Sequence, residues 1–203
     1  MKKVIAISGL PCSGSTTTAK LLSKKLSLNF FTIGQVWKDI SRGNVKEKFY
    51  YSIFRELCDK NDLLIPEFNA ENDSHGASFL WGTDFGKSKE FNNALDELQL
   101  NLAKEGNIVI EGKLSLHIVP EAEKKIWLKA DIDKRAKRAS QRDGIHPTEA
   151  ERLLSDRIKS QEEGWQKVYG FNYLDLEQKA DIVIDTSNLT PEQVVEKILE
   201  ELK

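Results

Sequence analysis

The chain has few cysteines, no long hydrophobic run and almost no net charge, and each of these absences excludes a class of protein. Its 2 cysteines are too few for the disulfide framework of a small secreted domain. No apolar run approaches the about 18 residues of a membrane span, and the apolar part of MKKVIAISG is shorter than that of a signal peptide. A formal net charge of −2 favours neither nucleic acid nor a membrane surface as partner. We therefore expect a cytoplasmic globular protein.

The most informative segment, near the N-terminus, resembles a phosphate-binding loop but has no lysine at the expected position. An apolar run, Val4–Ile7, leads to Gly9, and Gly14 follows at the spacing of the phosphate-binding loop G-x-x-x-x-G-K-[ST], with Ser15 where lysine belongs. Such a strand, turn and helix start gather backbone N–H groups and the positive end of the helix dipole around an anion. Thr16 stands where a hydroxyl ligates the Mg²⁺ of a nucleotide. The predicted nucleotide-binding residues are Gly9, Leu10, Pro11, Cys12, Ser13, Gly14, Ser15, Thr16 and Thr17.

The missing lysine leaves two interpretations open. In one, the segment is a glycine-rich turn that binds nothing. In the other, the backbone cradle is intact and the missing positive charge comes from arginines further along the chain.

Short apolar runs recur between helical patterns along the rest of the sequence. Such alternation predicts an α/β fold with a parallel sheet covered by helices on both faces. The capping box at Thr190, with Pro191 and Gln193, predicts where the last helix begins. The five predicted strands are Val4–Ser8, Asn29–Thr32, Asn107–Glu111, Lys125–Lys129 and Asp181–Asp185.

Between about residues 43 and 93 the alternation of strands and helices breaks down. KEKFYYSIFREL, residues 46–57, is predicted to be one helix. The stretch from Pro66 to Gly86 is irregular and contains His75 and Trp81. A long irregular segment in a compact domain is functional or a surface insertion without chemistry, and the sequence leaves both open. His75 alone indicates neither a metal site nor a general base.

Arginines follow the fourth strand in a regular pattern. Arg135, Arg138 and Arg142 stand at i, i+3 and i+7, which predicts one stripe on a helix. Arg157 lies on the next helical segment. Guanidinium groups bind phosphate bidentately and stay charged at any working pH, so these arginines are candidates to replace the missing charge. The alternative is a solvated helix pair.

Glu111 ends the third predicted strand and precedes Gly112 and Lys113. In P-loop folds an acid at this point is suited to hold Mg²⁺ through water, and a following base is suited to contact the acceptor phosphate. The alternative is an ordinary strand-end turn.

Several segments together resemble the archaeal type of cytidylate kinase, within the nucleoside monophosphate kinases. The resemblance covers about residues 1–42 and 94–201, and its most specific segments are ISGLPCSGSTTTAKLLSKKL, ALDELQLNLAKEGNIVIEGKL, IWLKADIDKRAKRASQRDGI, RIKSQEEGWQKVYGFN and DIVIDTSNLTPEQVVEKIL. In that family a hydroxyl residue typically replaces the loop lysine.

The resemblance implies a single-domain, five-stranded kinase that transfers the γ-phosphoryl group of ATP to CMP or dCMP with Mg²⁺. It implies a core over residues 1–42, 94–134 and 167–203, an acceptor-binding insertion over about 43–93 and a lid over about 135–166. We expect a monomer that acts on small nucleotides. The implied roles are catalysis for Arg142, Arg157 and Arg138, ATP contact for Arg135, metal ligation for Thr16 and Glu111, and acceptor contact for Lys38, Gln99 and Lys113.

The chain also departs from the family pattern. Lys38, Leu98 and Lys113 stand where acceptor-side arginines are expected, and Gly164 replaces an arginine of the lid. Two further hypotheses follow: a kinase for another small acceptor selected by residues 43–93, or a nucleotide-binding regulatory protein that transfers no phosphate.

Overall fold

A computed structural model describes residues 2–68, 80 and 83–203. The chain divides into two compact units: unit 1 comprises residues 1–31 and 106–203, and unit 2 comprises residues 32–105. His75 and Trp81 lie outside the described residues. The predicted boundaries of the insertion and of the lid stay predictions.

All five predicted strands are present and form one sheet. The spatial order is β2-β3-β1-β4-β5, and β1 pairs in parallel with β3 and with β4, as β4 does with β5. Parallel strands end at the same edge of a sheet, so the loops after β1 and β3 emerge side by side. The strands are β1 Val4–Gly9, β2 Asn29–Thr32, β3 Ile108–Glu111, β4 Lys124–Lys129 and β5 Ile182–Asp185.

Helices connect the strands, as the sequence predicts. The capping box at Thr190 is present, with the Thr190 hydroxyl accepting from the Gln193 N–H and the Gln193 side chain accepting from the Thr190 N–H. The described helices are α1 Ser15–Leu26, α2 Ile33–Ser41, α3 Tyr51–Lys60, α4 Asp84–Lys87, α5 Lys89–Glu105, α6 Ser115–Ile118, α7 Ile132–Asp143, α8 Pro147–Tyr169 and α9 Pro191–Glu201, with 3₁₀ turns at Val45–Glu47 and Tyr173–Lys179.

The predicted single helix over residues 46–57 is wrong in extent. The segment begins in the 3₁₀ turn Val45–Glu47 and becomes α-helical only from Tyr51. The interruption coincides with a buried polar contact, because the Tyr50 hydroxyl donates to Asp39 at 2.6 Å and Lys48 lies 3.7 Å from the same carboxylate. Sequence periodicity does not report such a contact.

The core of unit 1 lies between the sheet and two helices. Alternate residues of a strand face opposite sides of the sheet, and Ile5 and Ile7 of β1 share one face. Leu22 of α1 and Ile198 of α9 cover this face. Burial of this apolar cluster stabilises unit 1 and holds α1 against the strand that leads into the phosphate loop.

Unit 2 has an aromatic core. Phe54 of α3 and Phe91 of α5 are fully buried. The ring of Phe91 packs edge-on against Trp37 at a centroid distance of 4.9 Å and lies 4.5 Å from the ring of Phe85. Such aromatic contacts add to the stabilisation from area burial, so residues 32–105 have a packed interior of their own.

Candidate nucleotide-binding site

The loop after β1 uses its two glycines for different reasons. A Cβ on Gly9 would lie 2.1 Å from the carbonyl oxygen of Leu128 in β4, so only glycine allows this close approach. Gly14 has φ +94° and open space around its Cα, so glycine is favoured there by the backbone conformation and not by a lack of room. Between them, Cys12 also has a positive φ of 62°. The loop therefore turns tightly into α1, as the phosphate-loop spacing predicts.

The serine in the lysine position is bound to the acid at the end of β3. The Ser15 hydroxyl donates to Oε1 of Glu111 at 2.7 Å, and the Thr16 hydroxyl donates to Oε2 of the same carboxylate at 3.1 Å. Ser15 and Glu111 are only 7% and 6% exposed. The structure thus brings together Thr16 and Glu111, the two predicted metal-binding residues. The uncharged Ser15 hydroxyl binds the same carboxylate.

Arg138 of α7 fastens the loop to the end of β5. Its Nη1 donates to the Cys12 carbonyl at 3.3 Å and to the Thr186 hydroxyl at 3.1 Å, and its Nη2 donates to the Thr186 carbonyl at 2.6 Å. The Thr186 hydroxyl in turn donates to the Ser13 carbonyl at 2.8 Å. Sequence reasoning missed Thr186, although its position directly after the DIVID strand puts it at the same sheet edge as the loop.

Arg142 of α7 also reaches the loop, but its fork is engaged by an acid. Its Nη1 lies 3.7 Å from the Cys12 sulfur, while Nε and Nη2 donate to the two oxygens of Asp143 at 2.7 and 2.6 Å. The hydrogen bonds to Asp143 raise the pKa of Arg142. Burial lowers the pKa of Arg157 of α8, and the positive charge of Arg142 lowers it further.

Arg135 is the most enclosed of the three arginines on α7. It is 6% exposed, and its Nε donates to the Ala130 carbonyl at 2.9 Å. Burial lowers the pKa of its guanidinium. Its Nη1 is buried and has no hydrogen-bond partner among the described residues. A buried donor without a partner is costly, so this nitrogen fits an acceptor supplied from outside the chain.

Lys113, predicted to face an acceptor, contacts the phosphate loop itself. Its ammonium donates to the Gly9 carbonyl, and its own carbonyl accepts from the Ser8 hydroxyl at 2.7 Å. Burial, followed by the positive charge of Arg157, lowers the pKa of Lys113 to about 7 against the opposing effect of Glu111. Sequence reasoning found the residue and missed this contact.

The other predicted acceptor residues lie in unit 2. Lys38 is a partly buried residue of α2, and its carbonyl accepts from the Arg42 N–H at 3.1 Å. Gln99 and Leu98 are buried in α5. The contact of Lys38 and Gln99 with an acceptor stays a prediction, and Leu98, which stands where an arginine is expected, carries no charge.

The residues fit a nucleotide-bound Mg²⁺ better than a metal held by protein alone. Within residues 2–68, 80 and 83–203, no group of at least three His, Cys, Asp or Glu side chains could hold a metal. The Thr16 hydroxyl and the Glu111 carboxylate supply the hard oxygen donors that Mg²⁺ prefers, and Mg²⁺ usually takes its other ligands from water and substrate phosphates.

Among the described helices, none has the length and hydropathy needed to cross a membrane.

Comparison with known proteins shows the family of the chain. Residues 4–188 match the Cytidylate kinase-like family. The cytidylate kinase of Pyrococcus horikoshii is 32% identical over 193 residues, covering 95% of this chain and 84% of that protein. The cytidylate kinase of Ignicoccus hospitalis is 32% identical over 196 residues, covering 96% of each chain.

A solved structure supports the fold. Shikimate kinase from Bacteroides thetaiotaomicron superposes with a TM-score of 0.54 over 100% of this chain and 99% of that one, at 16% sequence identity. At that identity the likeness concerns the fold, and it confirms the predicted P-loop kinase architecture with a five-stranded parallel sheet.

Proposed function

We propose that this chain, which belongs to the cytidylate kinase-like family, transfers the γ-phosphoryl group of ATP to CMP or dCMP and releases ADP with CDP or dCDP. The coarser statement follows from its relatives: the chain is a nucleoside monophosphate kinase and uses ATP. The identity of the acceptor and the products are the parts proposed here.

The observation that carries the proposal is the convergence of cationic side chains on the phosphate loop. Arg138 and Arg142 from α7 both reach Cys12, near the middle of the loop. Phosphoryl transfer requires little covalent chemistry from the protein, and catalysis rests on positioning and on neutralising the charge that develops on the transferred group. A phosphate loop that two guanidinium groups contact is suited to both tasks.

The arginines have different roles in this proposal. Arg138 holds the loop through Cys12 and Thr186 and is assigned to the ATP phosphates. Arg135, whose buried Nη1 has no partner among the described residues, is assigned to ATP as well. Arg142 and Arg157 clamp the transferred phosphoryl group. The fork of Arg142 is engaged by Asp143, so phosphate binding by this guanidinium requires an exchange of partners.

Thr16 and Glu111 would hold Mg²⁺, Thr16 directly and Glu111 through water. The ion, when bound, neutralises charge on the phosphates. Ser15 keeps the Glu111 carboxylate oriented toward the loop by the hydrogen bond at 2.7 Å. We assign no general base to this chain, because an acceptor phosphate is already ionised near neutral pH.

Lys38 and Gln99 are proposed to contact the acceptor. Both belong to unit 2 and flank residues 43–93, the segment proposed to select the acceptor. We propose that the enzyme acts as a monomer in the cytoplasm.

The test is ADP production from ATP–Mg²⁺ with CMP, dCMP, UMP, AMP, GMP or dTMP, with a reaction lacking acceptor as control. We expect turnover with CMP and dCMP well above that with the other acceptors. ATP binding without turnover on any acceptor would contradict the proposal and favour a regulatory protein. Turnover confined to another nucleotide would contradict the assignment of CMP alone.

A further inference from the structure

We propose that Lys113, at the end of β3, supplies the cation that the phosphate loop lacks at position 15, and therefore binds the phosphates of the donor nucleotide. The inference rests on the proposed function, in that the loop binds ATP. It changes the expected role of Lys113, which the resemblance assigns to the acceptor.

The first observation concerns position 15, where the phosphate-loop pattern has lysine and this chain has an uncharged serine that is hydrogen-bonded to an acid. The Ser15 hydroxyl donates to Glu111 at 2.7 Å, and Ser15 is buried. A hydroxyl adds no positive charge. A loop built this way takes its positive charge from other segments of the chain.

The second observation is the course of the backbone after β3. Ile7 of β1 pairs with Glu111 of β3, and the Gly112 N–H donates to the Ile7 carbonyl at 3.1 Å. The Ser8 hydroxyl then donates to the carbonyl of Lys113 at 2.7 Å. Lys113 therefore continues the strand register beyond the sheet and lies beside the first residue of the loop.

The third observation is the direction of the Lys113 side chain. Its ammonium donates to the carbonyl of Gly9, the glycine at which the loop begins. This bond uses one hydrogen of the ammonium, so the others are available to phosphate oxygens. The Lys113 side-chain nitrogen is thus held at the loop by one backbone contact.

The fourth observation is that Lys113 is part of the charge cluster around the loop. Its ammonium interacts electrostatically with Arg157, Arg135, Glu111 and the Cys12 side chain. Bringing like charges together is unfavourable unless a polyanion joins them. A triphosphate bound at the loop has the charge needed to do so.

The test compares donor and acceptor binding in variants of the full chain. Binding of ATP–Mg²⁺ and of CMP is measured separately by isothermal titration calorimetry, which needs no turnover. In Lys113→Met, which keeps the aliphatic stem, we expect ATP affinity to fall about 10- to 100-fold, the loss typical of a charge-assisted hydrogen bond. CMP affinity should change by less than about 3-fold. Lys137→Met, which removes an exposed lysine from α7, is the matched control for charge.

A relocated lysine separates charge supply from a merely structural role. The double variant S15K/K113M restores an ammonium at the usual position without the contact between β3 and Gly9. We expect it to recover a substantial part of the lost ATP affinity, whereas a defect caused only by the missing contact with Gly9 would persist. Thermal melting of each variant checks that the protein folds.

Each result has a defined meaning. Selective loss of ATP binding in K113M with recovery in the double variant supports the proposal. Selective loss of CMP binding, or no loss of either, overturns it, and absence of recovery overturns the equivalence of Lys113 with a lysine at position 15. If the unaltered protein binds ATP and does not act on CMP, the proposed function fails while this inference stands or falls on the ATP data.

Discussion

Replacing each loop glycine by alanine separates two physical requirements within the same loop. At Gly14 the added methyl group meets no atom within 4 Å, and only the backbone conformation at φ +94° is unfavourable. A side chain in the left-handed region costs about 1–2 kcal/mol. We therefore expect Gly14→Ala to lower the free energy of unfolding by about that amount.

At Gly9 the same methyl group has no room. It would lie 2.1 Å from the carbonyl oxygen of Leu128 and 2.9 Å from its carbonyl carbon, and φ is also positive at +153°. The strand or the loop must move, which endangers the bond from the Leu10 N–H to the Leu128 carbonyl at 3.0 Å. Overpacking costs about 1–3 kcal/mol and the lost hydrogen bond about 0.5–1.5 kcal/mol. With the backbone strain, we expect Gly9→Ala to lose about 3–6 kcal/mol.

Urea unfolding of the full chain, followed by circular dichroism, measures both variants under the same conditions. Calorimetric titration with ATP–Mg²⁺ then reports whether the folded fraction still binds the donor. The matched pair matters because the two glycines belong to one loop and differ in the space around them. An equal or smaller loss for Gly9→Ala than for Gly14→Ala would refute the reasoning, since it would mean that the contact with Leu128 does not constrain the loop.

Three further substitutions test other parts of the structure. Arg142→Ala should lower kcat by about 100-fold or more in the coupled ADP assay if it neutralises charge in transfer; an unchanged kcat would remove it from the clamp. Thr190→Ala should lower the free energy of unfolding in urea by about 1 kcal/mol because α9 loses its N-cap, and an equal loss in Thr190→Ser would contradict that cause. Burial raises the pKa of the Cys58 thiol from 9.0 to about 11, so the folded state holds the thiol proton more tightly than the unfolded state does. The resulting contribution to the free energy of unfolding is complete below pH 9 and is lost as the pH rises to about 11. We expect about 2 kcal/mol of alkaline destabilisation from this group, which Cys58→Ala should lack in urea unfolding at pH 8 and pH 11; identical pH slopes in the two proteins would refute it.

Interactions between neighbours in the sequence determined most of the secondary structure. The alternation of short apolar runs with helical patterns predicts the five strands, and Thr190, Pro191 and Gln193 by themselves specify where α9 begins. These signals are local, because a cap or an amphipathic period needs only contiguous residues. The helix predicted over residues 46–57 is wrong in extent for the same reason: the contacts of Tyr50 and Lys48 with Asp39 join residues that no local pattern connects.

The spacing of Gly9 and Gly14 predicts the phosphate loop, and the sequence shows serine at the lysine position. The arginine spacing predicts that Arg138 and Arg142 share one helix, as they do in α7. Only the tertiary structure decided which distant residues contact this loop. Lys113 contacts Gly9 across 104 positions, Ser15 contacts Glu111 across 96, and Thr186 contacts Ser13 across 173. The physical reason is the parallel sheet, which brings the ends of β1, β3 and β5 to one edge, where residues far apart along the chain share the charge and hydrogen bonds of a single site.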